Sequence, residues 1–526
     1  MGKTEIARSA FWRMALCMIL LIALTRGITL DHHLLSHPDE HVFYGSTELL
    51  MESVLYGHPY EPLKPYPEGT YVFRLPFHLL AQVLPLDTNY EVSVSLWGRV
   101  SSVFYYTAGA LLGLWLVTGP LRGGRSGAWI YIFAVCFGLF QIEQSRYGTF
   151  DPISFLMLML VIVLCVKALN REKPWHLPAA AFVVGIAAAG KYPLAYFSLL
   201  PLSVLFLKKT RGWPLWRNLV LMLLGGGLGF LLFSPSVLRS PFFFLQTIWG
   251  GAQGYLVGGN PEGYSTVAES AFSVLAYHNL YSDLPLAGLF ALQCVLGLNR
   301  EGEHAPEQLF VARVLPAITL VFLGYNLLLT TFFLRTLFPF FFLCLPYAAV
   351  GLGRLSKRKH WGALAAVLCV VMTARGCVLV ALMRDREDSW ASETVIEEIE
   401  RLGGSYTSMG SYFFTPEINA RIAPSEIVTN QQLYEGDFPE LTPGIPILTA
   451  SLQHGMAKTC IFPPDKEMAA NISGGWAAFR EENAPWLVAR SYPEWMYQLF
   501  GFWVHGSTAT NYEFQSDWLY YKPADA

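Results

Sequence analysis

The amino-acid sequence predicts an α-helical integral membrane protein: about eleven spanning helices followed by a small extracytoplasmic α/β domain. Three observations carry that expectation. Charged residues make up only 14% of the 526-residue chain, where a soluble domain carries about a quarter. Apolar residues come in long runs rather than at the spacing of a soluble core: residues 10–30 hold only Arg13 and Arg26, and residues 152–166 hold no charge. Basic residues recur in every second connection between those runs.

A span needs roughly 20 apolar residues, fewer where short helices pack inside a bundle. By that measure spans fall at about 10–30, 97–118, 127–144, 152–168, 177–190, 193–207, 217–233, 284–297, 311–330, 336–353 and 361–382. The first lacks a small-residue cleavage pattern and reads as a retained signal anchor. Lys3, Arg8 and Arg13 precede it; Arg122 and Arg125, then Lys167, Arg171 and Lys173, then Lys208, Lys209, Arg211 and Arg217, then Arg354, Lys357, Arg358 and Lys359 fill alternate connections. The positive-inside rule puts these and the N-terminus in the cytoplasm, as in a multi-pass plasma membrane protein. Segments 31–96, 145–151, 234–283 and everything beyond about 384 then face outward.

Charge supports the same orientation. Residues 385–526 hold 20 Asp and Glu against 8 Lys and Arg, a net of −12, while the whole chain carries −3. The rest is therefore +9. We divide the chain into a transmembrane domain over 1–383 and an outer domain over 384–526. In the latter, Asp388 or Ser389 can cap a helix with Val395, Ile399 and Leu402 on one face, stopped by Gly403-Gly404. Ile445–Leu448 and Trp518–Tyr521 read as strands. Seven of the eight cysteines lie in or beside apolar runs and only Cys460 lies in the outer part, so neither a disulfide framework nor a zinc pattern is present there. No internal repeat, Gly-rich nucleotide loop or nucleic-acid-binding patch is visible.

The sharpest chemical signal follows the first span: Ser36-His37-Pro38-Asp39-Glu40-His41. Glu40, Phe43, Tyr44, Glu48 and Met51 suggest an interfacial helix, with a turn-rich stretch after it. One of the two carboxylates can serve as general base on a hydroxyl; alternatively Asp39 marks a helix N-terminus. Other ionisable residues collect at the outer ends of spans: Arg146, Tyr147 and Asp151 in one short connection, Lys191 in Gly190-Lys191-Tyr192-Pro193, Arg335 between two late spans, and His278 late in the 234–283 connection. Charges at membrane depth are functional candidates, though each alone can snorkel to the interface. They share a purpose if the substrate carries a glycosyl–phosphate bond. Cleavage of such a bond leaves a phosphate that needs cations rather than a general acid, and Arg146, Lys191 and Arg335 can supply them. His37 and His41, four residues apart beside the acidic pair, add a divalent cation near Asp39 and Glu40 as a weaker alternative. The 234–283 connection, with Pro241-Phe242-Phe243-Phe244, Gly250-Gly251 and Gly258-Gly259, suits a mobile cover over a site or an aromatic interface segment.

These motifs resemble the GT-C superfamily of membrane glycosyltransferases, in particular the bacterial members of family 39, which includes protein O-mannosyltransferases and aminoarabinose transferases. The residues that carry the resemblance are His37-Pro38-Asp39-Glu40, Tyr66-Pro67, Gly98-Arg99, Ser145-Arg146 through Asp151, Gly190-Lys191-Tyr192-Pro193, and Arg335 with Pro339. It covers about residues 10–380. The His-Pro-Asp-Glu form is equally similar to the dolichol-dependent α-mannosyltransferases of family 22. The resemblance implies a polyprenyl-phosphate-linked sugar as donor, a hydroxyl acceptor on lipid, glycan or protein, an extracytoplasmic site among membrane lipids, and inversion at the anomeric carbon. It implies catalytic roles for Asp39 and Glu40; Tyr66, Arg99, Tyr147, Asp151 and His278 are the substrate-binding candidates. A lipid or solute transporter and a non-catalytic envelope scaffold are the competing readings.

Overall fold

The computed structural model describes residues 8–28 and 30, 40–58, 68–88, 90–170, 173–234, most of 236–249, 305–328, 338–357, 360–384, 393–409, most of 416–450, 466–490 and 517–525. Among them, six helices are long and apolar enough to cross a membrane: Arg8–Gly27, Val92–Thr118, Asp151–Asn170, Trp213–Phe233, Pro306–Asn326 and Trp361–Val378. A bent pair, Gly124–Phe137 with Leu139–Arg146, makes a seventh, and His176–Gly190, Tyr192–Leu207 and Pro339–Leu355 are shorter apolar helices. These elements coincide with ten of the expected spans. The one expected at 284–297 lies outside the described residues.

In chain order the helices that matter for the site are α1 (Arg8–Gly27), α2 (Glu40–Tyr56), α3 (Gly69–Val83), α4 (Tyr90–Thr118), α5 (Gly124–Phe137), α6 (Leu139–Arg146), α7 (Asp151–Asn170) and α8 (His176–Gly190). A 3₁₀ turn, Tyr192–Ser198, leads into α9 (Leu199–Leu207). Then follow α10 (Trp213–Phe233), α11 (Leu315–Leu327), α12 (Phe338–Leu355) and α13 (Trp361–Arg384). One continuous apolar core joins residues of α1, α4, α5, α7, α8, α9 and α12. Phe155 of α7 stacks on Phe342 of α12, ring centroids 3.7 Å apart.

Two features depart from the sequence-based expectation. The span read as continuous over 127–144 breaks at Gly138, where α5 and α6 meet at 59°. Gly138 is extended, so the carbonyls of Val135 and Cys136 lose their helical donors. In an apolar bundle such orphans must be satisfied from within the protein. Arg26, in the last turn of α1, does this: it donates from Nη2 to the Val135 carbonyl at 2.7 Å and from Nη1 to the Cys136 carbonyl. The Tyr106 hydroxyl adds a second bond to Val135, at 3.0 Å. The other is α3, a helix not anticipated in the outward 31–96 segment, which begins at Gly69 where the turn-rich stretch ends. Pro76 lies inside this helix, and His78 and Arg74 on it are buried.

The C-terminal elements are α14 (Glu393–Arg401), β1 (Ser405–Met409), α15 (Pro416–Arg421), β2 (Ala423–Val428), β3 (Ile447–Ala450), α16 (Lys466–Asn483), β4 (Leu487–Arg490) and β5 (Asp517–Tyr520). They form a mixed sheet ordered β2-β1-β3-β5-β4, with β1 parallel to both neighbours and the remaining pairs antiparallel. Alternation along the strands splits the core between two faces. Leu448 and Leu519 pack with Val395, Ile396 and Ile399 of α14, while Ile447, Trp518 and Tyr520 pack with Phe479 of α16. Gly403 and Gly404 take positive φ (106° and 76°) just past α14, the left-handed stop expected there.

Candidate active site

The connection Ser145–Asp151 between α6 and α7 is the hub of a buried polar cluster at one end of the bundle. Groups from three helices and from the residue just after α8 hold it. Ser145 Oγ accepts from Arg26 Nε of α1 at 3.0 Å. The Tyr147 carbonyl accepts from Ser102 of α4 at 2.6 Å, and the Thr149 carbonyl from Arg74 Nη2 of α3 at 3.1 Å. Thr149 Oγ1 donates to Asp151 Oδ2 at 3.3 Å. Asp151 Oδ1 then meets Lys191 Nζ at 2.7 Å, the lysine following directly on α8.

Cations dominate this end. Arg26, Arg99 and Arg146 are fully buried and Arg74 is 2% exposed, among the largest side chains so enclosed. Burying a guanidinium costs several kcal/mol unless hydrogen bonds and counter-charges offset it. For Arg26 the offset is structural, because all three guanidinium nitrogens serve the α5–α6 break, Ser145 and Thr25. Arg146 ends α6 with its guanidinium 5.4 Å from the centre of the Tyr147 ring. Arg99 lies a few turns into α4 rather than opening a span, and its Nη1 reaches the Leu30 carbonyl at 3.5 Å.

Two glycines make these approaches possible. A Cβ on Gly98 would overlap the Tyr44 ring of α2 and lie 2.9 Å from Arg74 Nη1. A Cβ on Gly190 would fall within the ring of Phe150, so this glycine lets the hub connection pack directly on the end of α8, where Lys191 follows.

Of the residues singled out from sequence, Arg146, Tyr147, Asp151 and Lys191 come together at this hub, while Arg99 lies on α4 three residues before Ser102. Lys191 is salt-bridged to Asp151, which the sequence did not anticipate. Glu40 opens α2, and its side chain lies outside the described set together with Asp39, Tyr66, His278, Arg335 and His37. The expected cation site and the 251–283 part of the long connection also fall outside the described residues. Among the described residues no group of three His, Cys, Asp or Glu side chains is placed to hold a metal ion.

Arg74 and Ser102 went unnoticed in the sequence. The signal for Arg74 was present: it is the one formal charge in Gly69–Val83, otherwise an apolar stretch with a single histidine and glutamine. His78, on the same helix, is buried and shares a 3.2 Å hydrogen bond with the Tyr90 hydroxyl; burial lowers its pKa to about 4.

The hub belongs to a polytopic helical membrane protein with a buried, cation-rich site at one end of its bundle. No family model matches the chain, and no curated protein matches it. Solved structures similar to it include the following three. ArnT from Cupriavidus metallidurans in the apo state shares 14% identity over 84% of this chain and 94% of that one, with a TM-score of 0.47. The Archaeoglobus fulgidus oligosaccharyltransferase complex with zinc and sulfate shares 10% identity over 91% and 71%, TM-score 0.47. The oligosaccharyltransferase AglB from the same organism, in complex with an inhibitory peptide and a dolichol-phosphate, shares 9% identity over 90% and 72%, also at 0.47.

Proposed function

We propose that this chain is a membrane glycosyltransferase of the GT-C type, moving a hexose or mannose-like sugar from a polyprenyl phosphate to a hydroxyl acceptor on the extracytoplasmic side. The observation that carries this reading is the gathering of Arg146 and the Asp151-held Lys191 at one buried hub, beside helices that also bring in Arg74 and Arg99. Preorganised cations in a water-poor site stabilise a departing phosphate far better than exposed ones do. The acceptor oxygen attacks the anomeric carbon, the bond from that carbon to the phosphate oxygen breaks, and configuration inverts. The acceptor proton passes to a carboxylate, which we assign to Asp39 with Glu40 beside it. The bond electrons leave with the polyprenyl phosphate, whose added charge Arg146, Lys191 and Arg335 offset. Tyr147 supports Arg146, Asp151 fixes Lys191, and Tyr66, Arg99 and His278 contact the substrates.

The test is turnover of polyprenyl-phosphate sugars by purified protein carrying Arg146→Gln, with monodispersity and unfolding midpoint checked against wild type. A drop in kcat of about 10²-fold or more, as for loss of one charge-stabilising donor, supports the assignment. Wild-type turnover from a folded Arg146→Gln protein would remove Arg146 from the leaving-group site.

A further inference from the structure

Among the described residues, Arg74 ties α2, the helix that begins at Glu40, to the hub that carries the cations. It projects from α3 into a space bounded by three other elements. Its guanidinium carbon lies 5.7 Å from the centre of the Tyr44 ring on α2. Nη2 donates to Ser102 Oγ of α4 at 3.2 Å and to the Thr149 carbonyl at 3.1 Å. Gly98 leaves the room in which Nη1 and the Tyr44 ring meet α4. Tyr44 is itself anchored, its hydroxyl donating to the Ser95 carbonyl at 3.3 Å.

Each contact leads to a different part of the proposed chemistry. Tyr44 lies one helical turn after Glu40, so fixing it fixes the start of α2. Thr149 lies two residues before Asp151, whose carboxylate holds Lys191. Only Arg offers a planar fork able to donate in two directions while its face rests against a ring; a lysine in its place has one compact ammonium.

The geometry points to Arg74 as a positioning residue: it sets the separation between the acidic start of α2 and the Arg146–Lys191 cations, and so between the group that takes the proton and those that receive the leaving phosphate. This inference rests on the glycosyl-transfer reading. A misplacement of about 1 Å between reacting groups can cost about 10²-fold in rate without weakening ground-state binding. The defect in Arg74→Ala therefore belongs in kcat rather than in the KM for donor.

The experiment compares wild type, Arg74→Ala and Arg74→Lys by two measurements. In the first, release of polyprenyl phosphate is followed with and without millimolar guanidinium. Arg74→Ala is expected to lose about 10²-fold in kcat with donor KM little changed, and added guanidinium to recover a substantial part of that loss. Arg74→Lys falls between the two. The second measurement is amide hydrogen exchange, expected to rise in both α2 and 147–151 in Arg74→Ala, on opposite sides of the mutated helix. A kcat near wild type, a loss confined to KM, or a defect that guanidinium leaves untouched overturns the inference. If wild type itself releases no polyprenyl phosphate, the glycosyl-transfer reading fails separately and the exchange data decide. Faster exchange in both segments then supports the brace, and unchanged exchange in either one overturns it.

Discussion

Asp151→Asn removes one negative charge from the hub and keeps its shape. Lys191 Nζ lies 2.7 Å from Oδ1, with the aspartate side chain 5% and the lysine side chain 24% exposed. Breaking a fully buried pair from one side costs about 3–5 kcal/mol, because a charge is stranded. An exposed pair contributes about 0–1 kcal/mol. With one partner buried and the other partly open, the expected loss is about 1–3 kcal/mol. Lys191→Met should cost a similar amount by stranding Asp151. The double variant strands neither charge, so it should be more stable than the two single losses would sum to, by a coupling of about 1–3 kcal/mol. The assay is the unfolding midpoint of the four proteins in one detergent. Strict additivity would show that the pair contributes nothing to the hub, and the assignment of Asp151 as the holder of Lys191 would fall.

Three further outcomes follow from the same structure. Arg26→Met should destabilise the protein by about 1–3 kcal/mol, since the Cys136 carbonyl loses the Arg26 donor while Val135 keeps the Tyr106 hydroxyl, and a buried orphan costs about 1–3 kcal/mol; an unchanged midpoint would mean the break finds other donors. Gly190→Ala drives a methyl into the Phe150 ring and should cost about 1–3 kcal/mol, together with activity, because Phe150 belongs to the hub connection. His78 gives a pH signature: burial holds its pKa down to about 4, against 6.5 when exposed. The unfolded chain then binds the extra proton first, so the His78 contribution is complete above pH 6.5 and is lost as pH falls towards about 4. In His78→Gln the midpoint should lose part of its decline across that window, and an identical slope would refute the reasoning.

The spans were legible because a bilayer demands length and apolarity, both of which are local properties of the sequence. Helix α14 with its glycine stop, and strands β3 and β5, were legible for a similar reason: periodicity and turn chemistry lie within a few residues of each other. The break at Gly138 was not, because apolar residues continue on both sides and the donor that makes it tolerable, Arg26, is 110 residues away from Cys136. Helix α3 was hidden by Pro76 and by the turn-forming residues before it. At the hub, Arg146, Asp151 and Lys191 stood out as charges at span ends, and their convergence followed from alternating spans. The pairing of Asp151 with Lys191 across 40 residues could not be read from either motif alone. Arg74 was overlooked because its partners lie on three elements that only the fold brings together.

The central claim is that a carboxylate after the first span drives sugar transfer from a polyprenyl phosphate. The direct measurement is release of polyprenyl phosphate from a panel of polyprenyl-phosphate sugars, supplied with a crude acceptor extract, for wild type and for Asp39→Asn. Release by wild type, reduced about 10²–10⁴-fold in a folded Asp39→Asn protein, is the predicted result. Release that is indifferent to Asp39, or none from any donor by well-folded wild type, would contradict it and turn attention to transport or scaffolding.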